Sequence, residues 1–174
     1  MNKRAFSIAA GVFLSISGMC HAERVRTEFE QSFIGREWMK GAAYGNPYPL
    51  TRRCELLGGY LLPGQSEFAV SSHMCEGQHL KLFERYIDPA IYKVKVLDAV
   101  LLPKFEKGDD LMYVAECQLR RKTDKFFFAL VNMGNRESVN WKTGVKAAWY
   151  PNPKTGKIEE LSTRHIVCYE PTPP

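Results

Sequence analysis

From Leu111 to Met133 the chain reads LMYVAECQLRRKTDKFFFALVNM, two apolar runs on either side of a basic, polar turn. In the first run Tyr113, Ala115, Cys117 and Leu119 fall on one face of a strand and Met112, Val114, Glu116 and Gln118 on the other, because successive strand side chains point to opposite sides. The second run, Phe126 to Val131, is apolar at every position, which asks for cover on both faces or a central place in a sheet. Its three phenylalanines carry matching β propensity. This pair of runs is expected to form a hairpin at the centre of the core.

The same reading places strands at Cys54–Leu62, Phe68–Cys75, His79–Ile87, Tyr92–Leu102, Val145–Tyr150 and Lys157–Tyr169. Glu76-Gly77-Gln78 predicts a tight hairpin between the second and third of these. On His79–Ile87 the alternation sets Leu80, Leu82 and Glu84 against Lys81, Phe83 and Arg85. Near the start, Val25, Phe29, Phe33 and Trp38 recur at helical spacing between charges, so Glu23–Lys40 reads as an amphipathic helix laid on the sheet. The loop GAAYGNPYPLTRR, residues 41–53, is rich in Gly and Pro. The class expected is α+β, mainly β: an antiparallel meander of about six or seven strands with an N-terminal helix packed on it.

The first residues change the picture of where the protein resides. Lys3 and Arg4 precede a short apolar run, Ala5 to Ile16, and small residues lead to Ala22. That order is a secretory signal peptide, and the run is too short to span a bilayer, which takes about 20 residues. Residues 1–22 are read as removed, residues 23–169 as one globular domain and residues 170–174 as a Pro-rich tail. The localisation expected is periplasmic or secreted. Acylation at Cys20 is the lesser alternative, since bulky Met19 stands where lipoprotein processing favours a small residue. Export in turn gives the other cysteines a meaning: Cys54, Cys75, Cys117 and Cys168 are even in number, and two disulfides, Cys54–Cys75 and Cys117–Cys168, are the preferred pairing.

The formal charge is +5, and part of it belongs to the leader, so nothing in the balance points to nucleic acid. Motif chemistry is sparse. His73, Cys75 and His79 form H-x-C-x3-H, which matches no standard zinc spacing and competes with a disulfide, so no metal is expected. No P-loop, dinucleotide fingerprint or G-x-S-x-G elbow occurs, and no cofactor is expected. The pairs Asp109-Asp110 and Glu159-Glu160 read as solvated acids rather than a facing catalytic pair.

What remains is a binding protein acting by protein–protein contact, of the architecture that inhibitors and immunity proteins against toxins or cell-wall hydrolases use. Its contact residues are expected among Tyr44, Tyr48, Arg52, Arg53, Arg121 and Trp141, because aromatics and Arg dominate binding hot spots. The alternatives are an exported hydrolase with a loop-built site around His73, His79 or His165, and a small-ligand carrier with a cavity beneath Phe126–Phe128.

Overall fold

The structure is a computed structural model of the chain, describing residues 24–39, 54–113, 116–119 and 126–170. Tyr44, Tyr48, Arg52, Arg53, Arg121, the leader and the last four residues lie outside the described residues. The described chain is mainly β: one helix turn, α1 (Glu28–Gln31), and twelve strands, all paired antiparallel.

The expected single meander is corrected to three sheets. In the first, order β1-β5-β4-β3-β2, the strands are β1 (Glu37–Met39), β2 (Cys54–Leu62), β3 (Gln65–Cys75), β4 (Gln78–Asp88) and β5 (Lys93–Leu101). Its β3–β4 hairpin turns where the sequence places it, with Glu76 at φ 51° and Gly77 at φ 81°, as a two-residue hairpin with both central φ angles positive requires. The second sheet, β11-β10-β8-β6, contains β6 (Asp109–Tyr113), β8 (Phe128–Asn132), β10 (Val145–Asn152) and β11 (Lys157–Glu160). The third, β7-β12-β9, contains β7 (Cys117–Leu119), β9 (Ser138–Asn140) and β12 (Ile166–Tyr169).

Packing explains the division. The middle sheet has apolar side chains on both faces. Phe128, Leu130, Trp149 and Ile158 meet Phe68, Val70, Phe83 and Val100 of the first sheet. Ala129, Val131, Val145 and Ala148 meet Val139, Ile166 and the Cys117 and Cys168 side chains of the third. The expected hairpin therefore holds only for β6 and β8, from Tyr113↔Phe128 to Asp109↔Asn132. Beyond Tyr113 the chain changes sheets, and Cys117 pairs with Cys168 of β12. The expected last strand is likewise split into β11 and β12 by a 3-10 turn, Thr163–His165.

The long N-terminal helix is also corrected. A capping box opens it, in which the Thr27 hydroxyl accepts from the Glu30 N–H and the Glu30 carboxylate accepts from the Thr27 N–H. It stops after one turn because the chain bends at Gly35, φ 83°, to reach the edge of β5. The Gly35 N–H donates to Val96 O at 2.9 Å, and the Val96 N–H donates to Arg36 O at 2.9 Å. The open hydrogen-bonding groups of a sheet edge thus claim residues that helical spacing assigned to α1. Phe33 and Trp38 still bury, against Leu80, Leu82, Val94 and Ala99, whereas Val25 is 90% exposed.

Both expected disulfides are present, each joining directly paired residues: Cys54 with Cys75, Cα atoms 4.1 Å apart, and Cys117 with Cys168, 4.0 Å apart. With 21 and 51 residues of sequence separation, they stabilise the fold by about 3 and 4 kcal/mol respectively in the chain-entropy account.

A buried ion pair locks the N-terminal segment to two sheets. Asp98 of β5 accepts from Arg26 Nε (2.9 Å), Arg26 Nη2, the Ala99 N–H (2.9 Å) and the Ile158 N–H of β11 (2.7 Å). Arg26 also donates to Ile158 O at 3.0 Å, and the pair raises its pKa above the ordinary arginine value through the hydrogen bond to Asp98. Replacing Asp98 with Asn leaves Arg26 as a nearly buried cation without its hydrogen-bonded counter-ion. The expected cost is about 3–5 kcal/mol, read by urea unfolding; a loss under 1 kcal/mol contradicts this role.

Candidate functional site

Two places combine polar chemistry with an unusual setting. The first lies between the first two sheets. Ser72 of β3 and Lys81 of β4 are register partners, and both face the layer shared with β6 and β8. Lys81 has no exposed surface. Its amine donates to the Ser72 hydroxyl and, at 2.8 Å, to the Tyr113 hydroxyl. It also sits 5.1 Å from the Tyr113 ring centroid and 5.4 Å from that of Phe128. Tyr60 of β2 covers this cluster, its ring centroid 4.5 Å from that of Tyr113.

Burial lowers the Lys81 pKa from 10.5 to about 7, since an ammonium loses its hydration in this layer. Burial also pushes the Tyr113 phenol up. By composition the cluster is a hydroxyl with a near-neutral amine beside it, the pairing that can activate a nucleophile. By geometry it is closed, with Ser72 only 7% exposed. Its present effect is on stability.

The histidines are not brought together. His73 pairs with Leu80 and His79 with Met74, so the two imidazoles leave opposite faces of the first sheet. His73 is buried with its Nε2 3.0 Å from Ser71 Oγ. His79 stacks on Phe105 with centroids 4.2 Å apart, and desolvation lowers its pKa. His165 is exposed in the 3-10 turn. Cys75 of the H-x-C-x3-H spacing is in its disulfide, and among the described residues no group of three His, Cys, Asp or Glu could hold a metal. Of Phe126–Phe128, Phe127 and Phe128 are buried, and Phe128 stacks on Trp149 with ring centroids 5.5 Å apart.

The second place is at one end of the third sheet, and it contains Trp141. Antiparallel pairing of Asn140 with Val167 sets the exit of β9 beside the entry of β12. Residues far apart in sequence thereby line one shallow groove of 210 Å³: Asn140, Trp141, Lys142, Arg164, Ile166 and Val167. This is smaller than the roughly 300–1,000 Å³ of sites for small organic ligands, and suits a side chain or two of a larger partner. Trp141 is 48% exposed, in contrast to Trp38 and Trp149, which are buried. Lys142 Nζ lies 5.2 Å from the Trp141 ring centroid.

The turn carrying Trp141 is tightly bonded. Asn140 Oδ1 accepts from the Lys142 N–H at 2.8 Å, the Asn140 N–H donates to Thr143 Oγ1 at 2.8 Å, and the Thr143 and Gly144 N–H groups both donate to Asn140 O at 2.9 Å. Arg136 Nη1 closes the turn from outside by donating to Thr143 O at 2.6 Å. Gly144 permits the approach: a Cβ there would stand 2.3 Å from Asn132 O and 2.9 Å from Val139 Cβ. The Cys117–Cys168 disulfide lies next to the groove residue Val167.

Trp141 is the sequence-predicted contact residue that falls among the described residues, and Lys142 and Arg164 are groove residues the sequence reading did not select. Comparison of the chain with protein families, curated proteins and solved structures gave no match. The fold and site define a small, disulfide-stapled, mainly β protein, and among the described residues no helix is long and apolar enough to cross a membrane.

Two outcomes test these placements. The unfolded chain protonates Lys81 below about pH 10.5 and the folded chain only below about pH 7, so across this window the unfolded state holds more protons and stability falls as pH falls. Lys81→Met is therefore expected to be more stable than the parent at pH 7, with the difference shrinking towards pH 10 at a slope approaching about 1.4 kcal/mol per pH unit. Equal pH dependence in parent and variant, read by urea titrations across this range, contradicts a neutral Lys81. Gly144→Ala is expected to destabilise by about 1–3 kcal/mol through overpacking and to shift the emission of Trp141; an unchanged melting curve and spectrum would show that the turn is not held as described.

Proposed function

We propose that this chain is a small exported binding protein that acts by protein–protein contact, with Trp141 as its anchor. The observation that carries the reading is a large aromatic side chain left half exposed on a turn that its neighbours hold rigidly. Such preorganisation lowers the entropy lost on binding, and tryptophan is prominent among residues that dominate interface energetics. The two disulfides fit an oxidising compartment, which supports removal of residues 1–22 and a mature start at Glu23. An inhibitor or immunity protein against a toxin or cell-wall hydrolase is the use this architecture serves best. Tyr44, Tyr48, Arg52, Arg53 and Arg121 extend the proposed contact set.

The experiment is capture of a partner from periplasmic extract or culture medium on the immobilised mature chain, with parent and Trp141→Ala in parallel. The parent is expected to retain a specific protein whose affinity falls about 30-fold in the variant, the loss of a 2 kcal/mol hot spot, while the thermal melt is unchanged. Equal retention by parent and variant, or no retained protein, overturns the proposal.

A further inference from the structure

The charge around Trp141 identifies the chemistry of the partner. Two of the six groove residues, Lys142 and Arg164, are cations, and none is an acid. Several other cations of the described chain are engaged internally: Arg24 with Glu30, Arg26 with Asp98, Arg85 with Glu67, Lys93 with Glu37, and Lys146 with Glu106 and Asp109. Among the described residues neither Lys142 nor Arg164 forms an ion pair. Lys142 instead stands over the exposed indole, and Arg164 is presented from the 3-10 turn on the other side of the β9–β12 seam. Asn140 adds a polar edge, and Ile166 and Val167 add apolar lining. An arginine fork binds a carboxylate with two parallel hydrogen bonds, a lysine adds a point charge, and an indole face accepts the aliphatic part of the same side chain.

Resting on the reading of Trp141 as a protein-contact anchor, we propose that the groove binds an acidic segment of the partner, taking a Glu or Asp side chain between Lys142 and Arg164 with its methylenes against Trp141. Because the cations are exposed, this attraction acts mainly on the rate of encounter and weakens with salt.

The probe is a ten-residue polyglutamate peptide, with polyglutamine of the same length as the neutral control, titrated into the mature chain while tryptophan emission is followed. Trp38 and Trp149 are buried, so a response absent from Trp141→Phe reports on the groove. Polyglutamate is expected to give a saturable change that weakens at least tenfold in the double variant Lys142→Glu with Arg164→Glu, and similarly between 50 and 500 mM salt. A second double variant, Arg36→Glu with Lys95→Glu, makes the same change in net charge at exposed positions beside and on the first sheet, whereas the groove is on the third, and is expected to bind as the parent does. Equal binding of the two peptides, or equal loss in both double variants, overturns the acidic-segment proposal. The captured partner separates this from the reading beneath it: retention lost in Trp141→Ala but kept in Lys142→Glu with Arg164→Glu sinks the charge reading and leaves protein contact standing.

Discussion

One strand has to be buried on both sides, and the rest of the structure follows from that. In β8 Phe128 and Leu130 point into the core shared with the first sheet, and Ala129 and Val131 point into the core shared with the third. Side chains alternate with period two, so a strand apolar at every position needs two separate partners. The chain provides them by placing β8 inside the middle sheet and stacking a sheet on either face. The turn carrying Trp141 inherits its position from this arrangement, because Val139 and Val145, which bracket it, belong to the outer of the two cores.

Stacked sheets still have ends and edges, and here buried acids rather than apolar contacts close them. Asp98 holds the N-terminal segment, β5 and β11 together through four hydrogen bonds. Glu30, with no exposed surface, does the same three residues further along β5: it accepts from Thr27, from Arg24 at 2.9 Å and from the Leu101 N–H at 2.7 Å. Each carboxylate loses its hydration on folding, and several well-placed donors offset that loss. The N-terminal segment is therefore fixed at two points by polar bonds, and Phe33 and Trp38, further along it, cover the far face of the first sheet.

How far these features can be read in advance depends on whether they are local. The β3–β4 hairpin was legible because its turn chemistry and alternation lie in one continuous stretch. The two-sided cover of β8 was legible from an unbroken apolar run, and the presence of two disulfides from the even number of cysteines, Cys54, Cys75, Cys117 and Cys168. The N-terminal helix misled because Val25, Phe29 and Phe33 satisfy helical spacing, whereas the deciding factor is the free edge of β5, far along the chain. β9 could not be foreseen: three residues in a polar stretch become a strand only because β12 arrives beside them. The groove has the same dependence. Trp141 stood out as an indole among polar residues, but Arg164 joins it solely through the β9–β12 pairing.

Lys81 shows why polar groups inside and outside this fold carry different meanings. Alternation assigned it to the same face as Phe83, and since β4 is covered on both sides that face is also a core. Keeping an amine there costs stability near neutral pH, where the unfolded chain would protonate it. What the amine returns is specificity. It tethers Ser72 of the first sheet to Tyr113 of the second, and a one-residue slip of β6 would turn Tyr113 to the opposite face and break the tether. Every polar contact of Lys81 is thus made within the molecule, and its chemistry is spent on register. Lys142 and Arg164 differ in that their charged ends have no ion-pair partner among the described residues and both face the groove beside an exposed indole. Unused charge next to unused apolar surface, on a turn too well bonded to fold over and cover either, is why the functional reading rests on the groove rather than on the buried amine.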